Sequence, residues 1–503
     1  MRLSVFLLRI FQILLPLAIL ATTYLYLYPV FQGCAFPEAK GAETAVSRGE
    51  QAPFRLLALA DPQLEGDTSI HDARWGSLER IQRTLEGNLD FEQLCRDVQS
   101  LFQEDVPQAF RSYRKRLDLW GNDLYLAHVF RSVKWWTDPT HVVVLGDLLG
   151  SQWIGDEEFW RRTERFWDVV YRGGSKVEES IMDADTTEVL GADKRWRERI
   201  VAVAGNHDVG YAGDLDDHRV KRFEEAFGRV NWEVRFRLDE AKANQNANLD
   251  YVAFETPTPT PELRLTVLNS MNLDEPAKHA ELRQASLDFL DRKLHQERLT
   301  EDTGTVLLTH IPLFKESGIC VDGPFFDHFE GHHGGGIKEQ NHLSHDVSTS
   351  ILNGVVGPER RHKAIILNGH DHEGCQTYHS RANKTLGISE QDEHTSQEHW
   401  QVQNYYSPEP HTGGFGVREI TVRSTMGEFG GNAGLLSAWW DNDTREWKFD
   451  YESCICGVQH IWWAVHVLDI VEIALGIGAL MAFLSEDISR PRAGRVTITK
   501  KTA

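Results

Sequence analysis

Five short apolar runs, each delivering a metal-ligand type of side chain at its carboxyl end, constrain this chain more than any other feature. Leu56 to Ala60 runs into Asp61-Pro62-Gln63, Val142 to Leu145 into Gly146-Asp147, and Val201 to Ala204 into Gly205-Asn206-His207-Asp208. Val306 to Thr309 runs into His310, and Ala364 to Leu367 into Asn368-Gly369-His370-Asp371-His372. Runs of β-formers of this length read as buried strands, and open α/β sheets place their chemistry at the carboxyl ends of such strands. One Gly-Asn pair is ordinary turn chemistry. Five strand ends of the same character exceed what packing demands.

Both ends of the chain are strongly apolar. Leu3 to Phe31 is long enough to span a bilayer, with Arg2 and Arg9 near its start and Tyr24, Tyr26 and Tyr28 near its finish. Its length exceeds the roughly 7–15 apolar residues of a cleaved signal, so it reads as an anchor. Ile461 to Leu484 is a second span, followed by Arg490, Arg492, Arg495, Lys500 and Lys501. Basic residues outside both spans place both termini in the cytosol and the middle of the chain in a lumen. Asn383-Lys384-Thr385 and Asn442-Asp443-Thr444 are glycosylation sequons inside that middle part. Lys501 and Lys500 are the third and fourth residues counted from the end. That placing looks like a dilysine signal, an address read by coat machinery that returns membrane proteins to the endoplasmic reticulum. Six cysteines suit an oxidising lumen, with pairing left open. The 53 basic against 75 acidic residues, a net charge of −22, argue against a nucleic-acid partner.

Within the span of the five motifs, Asp67 to Asp138 reads as a helical insertion with Trp75, Leu78, Ile81 and Leu85 on one face. Asp156 to Tyr171 reads as a helix whose aromatics belong to the core, and Gly173 to Asp193 as a surface loop. Cys320 to His345, with five histidines and three consecutive glycines, is either a cover over a site or solvated surface. His466, Asp469 and Glu472 recur every three residues inside the second span, so they share one helix face. Ionisable groups at that depth need a reason, and the spacing predicts that this face packs on the first span, opposite Arg9.

Taken together, Asp61, Asp147, Asn206, His310, His370 and His372 mix imidazole, carboxylate and amide oxygen without thiolate. That set suits manganese, iron or zinc in a reactive centre rather than a structural zinc knot. Six donors are too many for one partly open ion and suit two, about 3.5–4 Å apart. Such a pair clamps both oxygens of an in-line phosphoryl displacement and supplies hydroxide near neutral pH.

The order Asp-x-Gln/His, Gly-Asp, Gly-Asn-His-Asp, Thr-His, Gly-His-Asp-His resembles the calcineurin-like metallophosphoesterase superfamily, over about Arg55 to Gly374. The resemblance implies that Asp147 bridges two divalent ions, manganese foremost, that Asp61 and His372 hold the first, and that Asn206, His310 and His370 hold the second. It implies His207 as the uncoordinated acid that protonates the leaving oxygen or steadies the phosphoryl group, with Asp208 orienting it. One position departs: Gln63 stands where most members have histidine, as a weaker ligand or as no ligand. With two flanking spans, that departure resembles a narrower group, the fungal endoplasmic-reticulum phosphodiesterases. They are relatives of the mammalian enzyme that removes ethanolamine phosphate from a mannose of the GPI-anchor glycan. A membrane-borne GPI glycan is the substrate implied.

The expectation is an α/β fold, a metallophosphoesterase-type β-sandwich flanked by helices, with two transmembrane helices. Residues 1–31 form the anchor, 32–54 a linker, 55–456 the lumenal catalytic domain, 457–484 the second span and 485–503 the cytosolic tail. Two other readings stay open: a lumenal phosphomonoesterase or nucleotide pyrophosphatase with the same centre, and a non-catalytic trafficking or receptor protein that keeps the fold.

Overall fold

The computed structural model describes residues 2–39, 51–66, 75–87, 90–239, 260–297, 300–331, 335–357, 362–381, 400–407 and 415–488. The sequon at Asn383, the dilysine pair Lys500 and Lys501, and most of the polar stretch after Ser380 lie outside these residues. Two units are distinct: the chain's two ends together, and Pro29–Cys456.

In the first unit, Leu3–Tyr26 and Gln459–Ile488 are helices long and apolar enough to cross a membrane. They pack lengthwise in opposite directions. Ser4 Oγ donates to Glu486 at 2.8 Å, and Thr22 Oγ1 meets both Asp469 oxygens at 2.9 Å. The face bearing His466, Asp469 and Glu472 does turn to the first helix, but Arg9 is not its partner. The Tyr26 hydroxyl lies 3.4 Å from His466 Nε2, Thr22 serves Asp469, and Glu472 is buried with both carboxyl oxygens unpaired. Arg9 precedes Thr22 by thirteen residues, about 20 Å along a helix, which is too far to serve this face.

The second unit is built on two sheets. The six-stranded sheet runs Glu446–Ile455, Asn432–Asp441, Phe54–Leu59, His141–Leu145, Arg199–Val203 and Ser175–Lys176. The eight-stranded sheet runs Trp400–Asn404, Cys375–Arg381, Gly416–Thr421, Lys363–Asn368, Thr303–Leu308, Glu262–Val267, Trp232–Arg237 and Thr187–Val189. In the first, Phe54–Leu59 pairs in parallel with His141–Leu145, and that strand with Arg199–Val203. In the second, Thr303–Leu308 pairs in parallel with Lys363–Asn368. The registers Leu59↔Val144, Leu145↔Val203 and Leu308↔Leu367 bring the five strand ends level.

Alternate side chains of both sheets fill one core, with Leu56, Ala58, Val143, Leu145, Val201 and Val203 meeting Leu265, Val306, Leu308, Ile365 and Leu367. Trp447 plugs this layer. Its ring occupies the space that a Cβ on Gly304 would need, 2.5 Å from Trp447 Cγ, and its Nε1 donates to Asp302 O at 3.0 Å. Trp447→Ala would leave a large cavity and an unpaired carbonyl, and is expected to cost about 3–5 kcal/mol, read as a lowered unfolding midpoint.

Two expectations about local structure change. Gly173 to Asp193 is not a surface loop: it carries two short strands and the helical turn Glu179–Met182. Val177, Ile181, Met182 and Leu190 are buried in the inter-sheet core, and sparse apolar residues at irregular spacing hid that. The helical insertion consists of Gly76–Glu86, Phe91–Ser100 and the long Val106–Thr137. Its marked face is only partly covered, since Trp75, Leu78 and Leu85 are exposed. Cys34 pairs with Cys454 and Cys320 with Cys375, while Cys95 and Cys456 are free.

Candidate active site

The level strand ends divide the labour between the sheets. The first supplies Asp61, Gln63, Asp147, Asn206 and His207; the second supplies His310, His370 and His372. Asp61, Asp147 and His310 can bring one ligand atom each within 4.8 Å of one another. Close approach demands glycine at two points. Gly146 has φ +85° and a Cβ there would sit 2.1 Å from His310 Nδ1; at Gly205 it would sit 2.2 Å from Asp147 N. Asp61, Gln63, Asp147 and His370 themselves adopt positive φ of 50°, 42°, 50° and 75°. Such backbone costs of order 1–3 kcal/mol per residue and persists where the surroundings over-determine it.

Hydrogen bonds fix which ring nitrogen faces the centre. His310 Nδ1 lies 2.8 Å from Leu145 O and His370 Nε2 2.9 Å from Gln340 O. A carbonyl only accepts, so each of those nitrogens carries the proton and the other nitrogen offers a lone pair. His310 Nε2 and His370 Nδ1 then meet Asn206 Oδ1 at 3.1 Å and 3.0 Å. Three lone pairs converge with no proton between them, an arrangement that a cation relieves. His310 Nε2 also stands 3.4 Å from Asp147 Oδ1.

The electrostatics agree. Burial, and then the charge of Asp147, push the Asp61 carboxyl well above the usual range. Burial also works against Asp147, but positive charge on His310, His207 or His370 holds it below its ordinary value, as a bound cation would. Burial lowers His310 and His372 and drives His370 down to about 3, so these rings are neutral, the form that binds metal. Two facing carboxylates among neutral rings suit divalent cations.

Gln63 lies inside the centre. Its Nε2 is 3.1 Å from both Asp147 Oδ2 and His372 Nε2, so its amide bridges two donors assigned to one metal. Gln63→His is expected to slow metal loss to a chelator by about one to two orders of magnitude, the scale on which groups around metal ligands act. Metal content against time checks this, and unchanged release would place Gln63 outside the coordination shell.

Asp208 requires a correction. Its buried carboxylate accepts from the backbone N–H groups of Gly205 at 2.9 Å, Leu149 at 3.0 Å and Leu148 at 3.2 Å, not from His207. In the helical turn Asn206–Val209 adjacent side chains point about 100° apart, so adjacency in sequence does not orient the ring. Asp208 ties the Asp147 loop to the Asn206 turn. His207 is held through its backbone N–H, which donates to Asp147 Oδ1 at 2.8 Å. Its Nε2 is 3.7 Å from Asp147 Oδ2 and its Nδ1 has no partner among the described residues.

The centre floors a cleft of 540 Å³ lined also by Trp153, Tyr211, Asp322, Lys338, Glu373 and Phe429, among others. The Cys320 to His345 segment forms one wall through the short strands Phe326–His328 and Ile337–Gln340. Among the described residues it reaches the metal-ligand side chains through the Gln340 carbonyl, while His342 is buried; His332 and His333 lie outside the described residues. A backbone acceptor leaves no signal in a residue pattern.

Behind the second sheet's ligands lies Glu419, fully buried. It accepts from Leu313 N at 2.7 Å, Asn368 Nδ2 at 2.8 Å and Thr377 Oγ1 at 3.0 Å, with His379 Nε2 at 2.7 Å and Lys315 Nζ at 3.2 Å. One carboxylate thereby holds the loop after His310 and the strand end before His370.

With this geometry in place, sequence relatives are informative. Metallophosphoesterase 1 of Cricetulus griseus is 22% identical over 75% of this chain and 74% of its own length. An uncharacterized protein of Schizosaccharomyces pombe is 25% identical over 83% and 85%. Protein TED1 of Saccharomyces cerevisiae is 31% identical over 408 residues, 72% of this chain and 77% of that one. The chain belongs to this metallophosphoesterase family. No protein-family model matches it. As a metallophosphoesterase it is a metal-dependent hydrolase of phosphoric esters, and Asp61, Asp147 and His310 form the tightest part of its candidate metal site.

Proposed function

We propose that this metallophosphoesterase is a phosphodiesterase of the endoplasmic reticulum membrane, its catalytic unit in the lumen, that removes ethanolamine phosphate from a mannose of GPI-anchor glycans. The observation that carries the reading is the charge of the cleft. Among the described residues Asp322, Glu339, Asp371 and Glu373 line it against one lysine, Lys338; Lys338 is itself paired with Asp327 at 2.7 Å and Glu373 with Arg423 at 3.1 Å, which leaves three acids in excess. An acidic mouth attracts the ammonium of an ethanolamine ester and repels a phosphomonoester dianion. Two disulfides in the second unit, and Asn442 exposed in the turn between two strands, support a lumenal setting.

In this reading Asp147, with Asp61 and His372 on one side and Asn206, His310 and His370 on the other, holds two divalent ions, manganese foremost. Bound there, they would supply charge stabilisation at the phosphoryl oxygens and a hydroxide nucleophile. The chain's own residues orient the diester, with the acidic rim on the amine and the aromatic walls excluding water. His207, 35% exposed at its side chain, stands at the cleft to deliver a proton to the departing mannose oxygen.

The test is the structure of GPI glycans in cells lacking the protein, with and without the wild-type gene restored. Retained ethanolamine phosphate that restoration removes is the expected result. Unchanged glycans would end the GPI assignment. Purified protein that prefers monoesters to diesters would move the reading to a phosphomonoesterase.

A further inference from the structure

The long helix Val106–Thr137 carries an apolar stripe that the fold does not cover. Val106, Phe110, Tyr113, Leu117 and Trp120 follow one another at intervals of four and three residues, so they lie along one side of the helix. All five are exposed, Phe110 by 70% and Trp120 by 55%. Ala109 and Ser112, on the adjacent side, are buried, so the helix is packed and its stripe is left out. Phe91, Val98 and Phe102, exposed on the preceding helical segment, extend the same chemistry. Between Val106 and Trp120 there are four basic residues, Arg111, Arg114, Lys115 and Arg116, against one acid, Asp118, which lies 3.8 Å from Arg114, on a chain whose net charge is −22.

Exposed aromatics beside a local basic surplus are the pattern of a helix lying in a membrane interface. There the rings enter the headgroup boundary while arginines reach the phosphates. A second feature within the same unit agrees. At the helix's far end Trp136 Nε1 donates to Cys34 O at 2.8 Å, and Cys34 is joined to Cys454. Cys34 is eight residues past Tyr26 and Cys454 five residues before Gln459, the adjoining ends of the two apolar helices. The helix end is therefore tied to the point where both ends of the unit are clamped together, eight and five residues of chain from the two apolar helices. Trp135 and Trp136 are exposed there as well.

We infer that the stripe Val106–Trp120 lies on the phospholipid surface of the membrane that the two apolar helices cross. The contact bears on the catalytic loop, because Lys115 Nζ pairs with Glu65 at 2.9 Å, two residues past Gln63. The inference does not depend on which diester is cleaved.

The test uses the full chain in nanodiscs of phosphatidylcholine with brominated acyl chains, with Cys95→Ser to remove the exposed native thiol. Phe110→Cys, Leu117→Cys and, on the polar side, Asp118→Cys each receive an environment-sensitive fluorophore. All three positions are exposed, so folding is not at stake. Bromolipid is expected to quench the labels at 110 and 117 at least twofold and to spare 118, with aqueous iodide giving the reverse order. Iodide quenching equal at all three, with no bromolipid effect, would show a free surface and overturn the inference. Shielding of 110 and 117 from both quenchers, with or without a cross-link between copies, would assign the stripe to a protein contact and overturn it equally.

Discussion

Asp147→Asn is expected to lower kcat/KM toward phosphodiesters by roughly 10³-fold or more and to empty the metal site. Asp147 is the acceptor on which the centre converges, from His207 N at 2.8 Å and Gln63 Nε2 at 3.1 Å, with His310 Nε2 at 3.4 Å. An asparagine keeps the shape and loses the charge that would bridge two cations. Metal ions at such sites provide several kcal/mol of transition-state stabilisation, and each 1.36 kcal/mol is a factor of ten. The measurement pairs turnover with metal content and with the unfolding midpoint. A folded variant that retains both metal and turnover would remove Asp147 from the centre of the scheme.

A stability effect as large as that of Trp447→Ala is expected at Glu419, which no catalytic motif contains. Glu419→Gln leaves Lys315, itself buried, facing a neutral amide, and breaking one partner of a buried pair costs about 3–5 kcal/mol. The same carboxylate makes stability depend on pH. Burial alone would raise it, but Lys315 and His379 hold it well below the usual carboxylate range. A depressed folded-state value contributes stability above the unfolded-state value of about 4.3 and loses it as pH falls toward the folded one. Wild-type protein should therefore lose more stability between pH 5 and pH 3 than Glu419→Gln does. Parallel pH profiles for the two would refute the coupling. Since Glu419 holds Leu313 and Asn368, the variant should also weaken metal retention at neutral pH through displaced His310 and His370.

These two positions mark how far the sequence could be read. Asp147 was legible because an apolar run ends in Gly-Asp, and strand chemistry puts such an end at the sheet's edge. The same logic located Asp61, Asn206, His310, His370 and His372; of these Asn206, His370 and His372 line the cleft with Asp147, while Asp61 and His310 are fully buried beside Asp147. Glu419 was not legible, because a glutamate alternating with apolar residues in Gly416–Thr421 reads as the wet face of a strand; the lysine that keeps it dry comes from a loop about a hundred residues earlier. Asp208 was misplaced for a related reason. Its neighbour His207 suggested a side-chain pair, whereas its partners are backbone amides, two of them about sixty residues away. The Gln340 carbonyl and the cysteine pairing depend on tertiary approach and have no local pattern.

The Cys34–Cys454 bond, described above as a clamp, also makes the second unit a covalently closed ring, since the two cysteines are 420 positions apart in sequence. A single cut by a protease anywhere between them would open the ring without parting the molecule. Nicked protein should migrate as one species until reductant is added, with both membrane-crossing helices still carried on it.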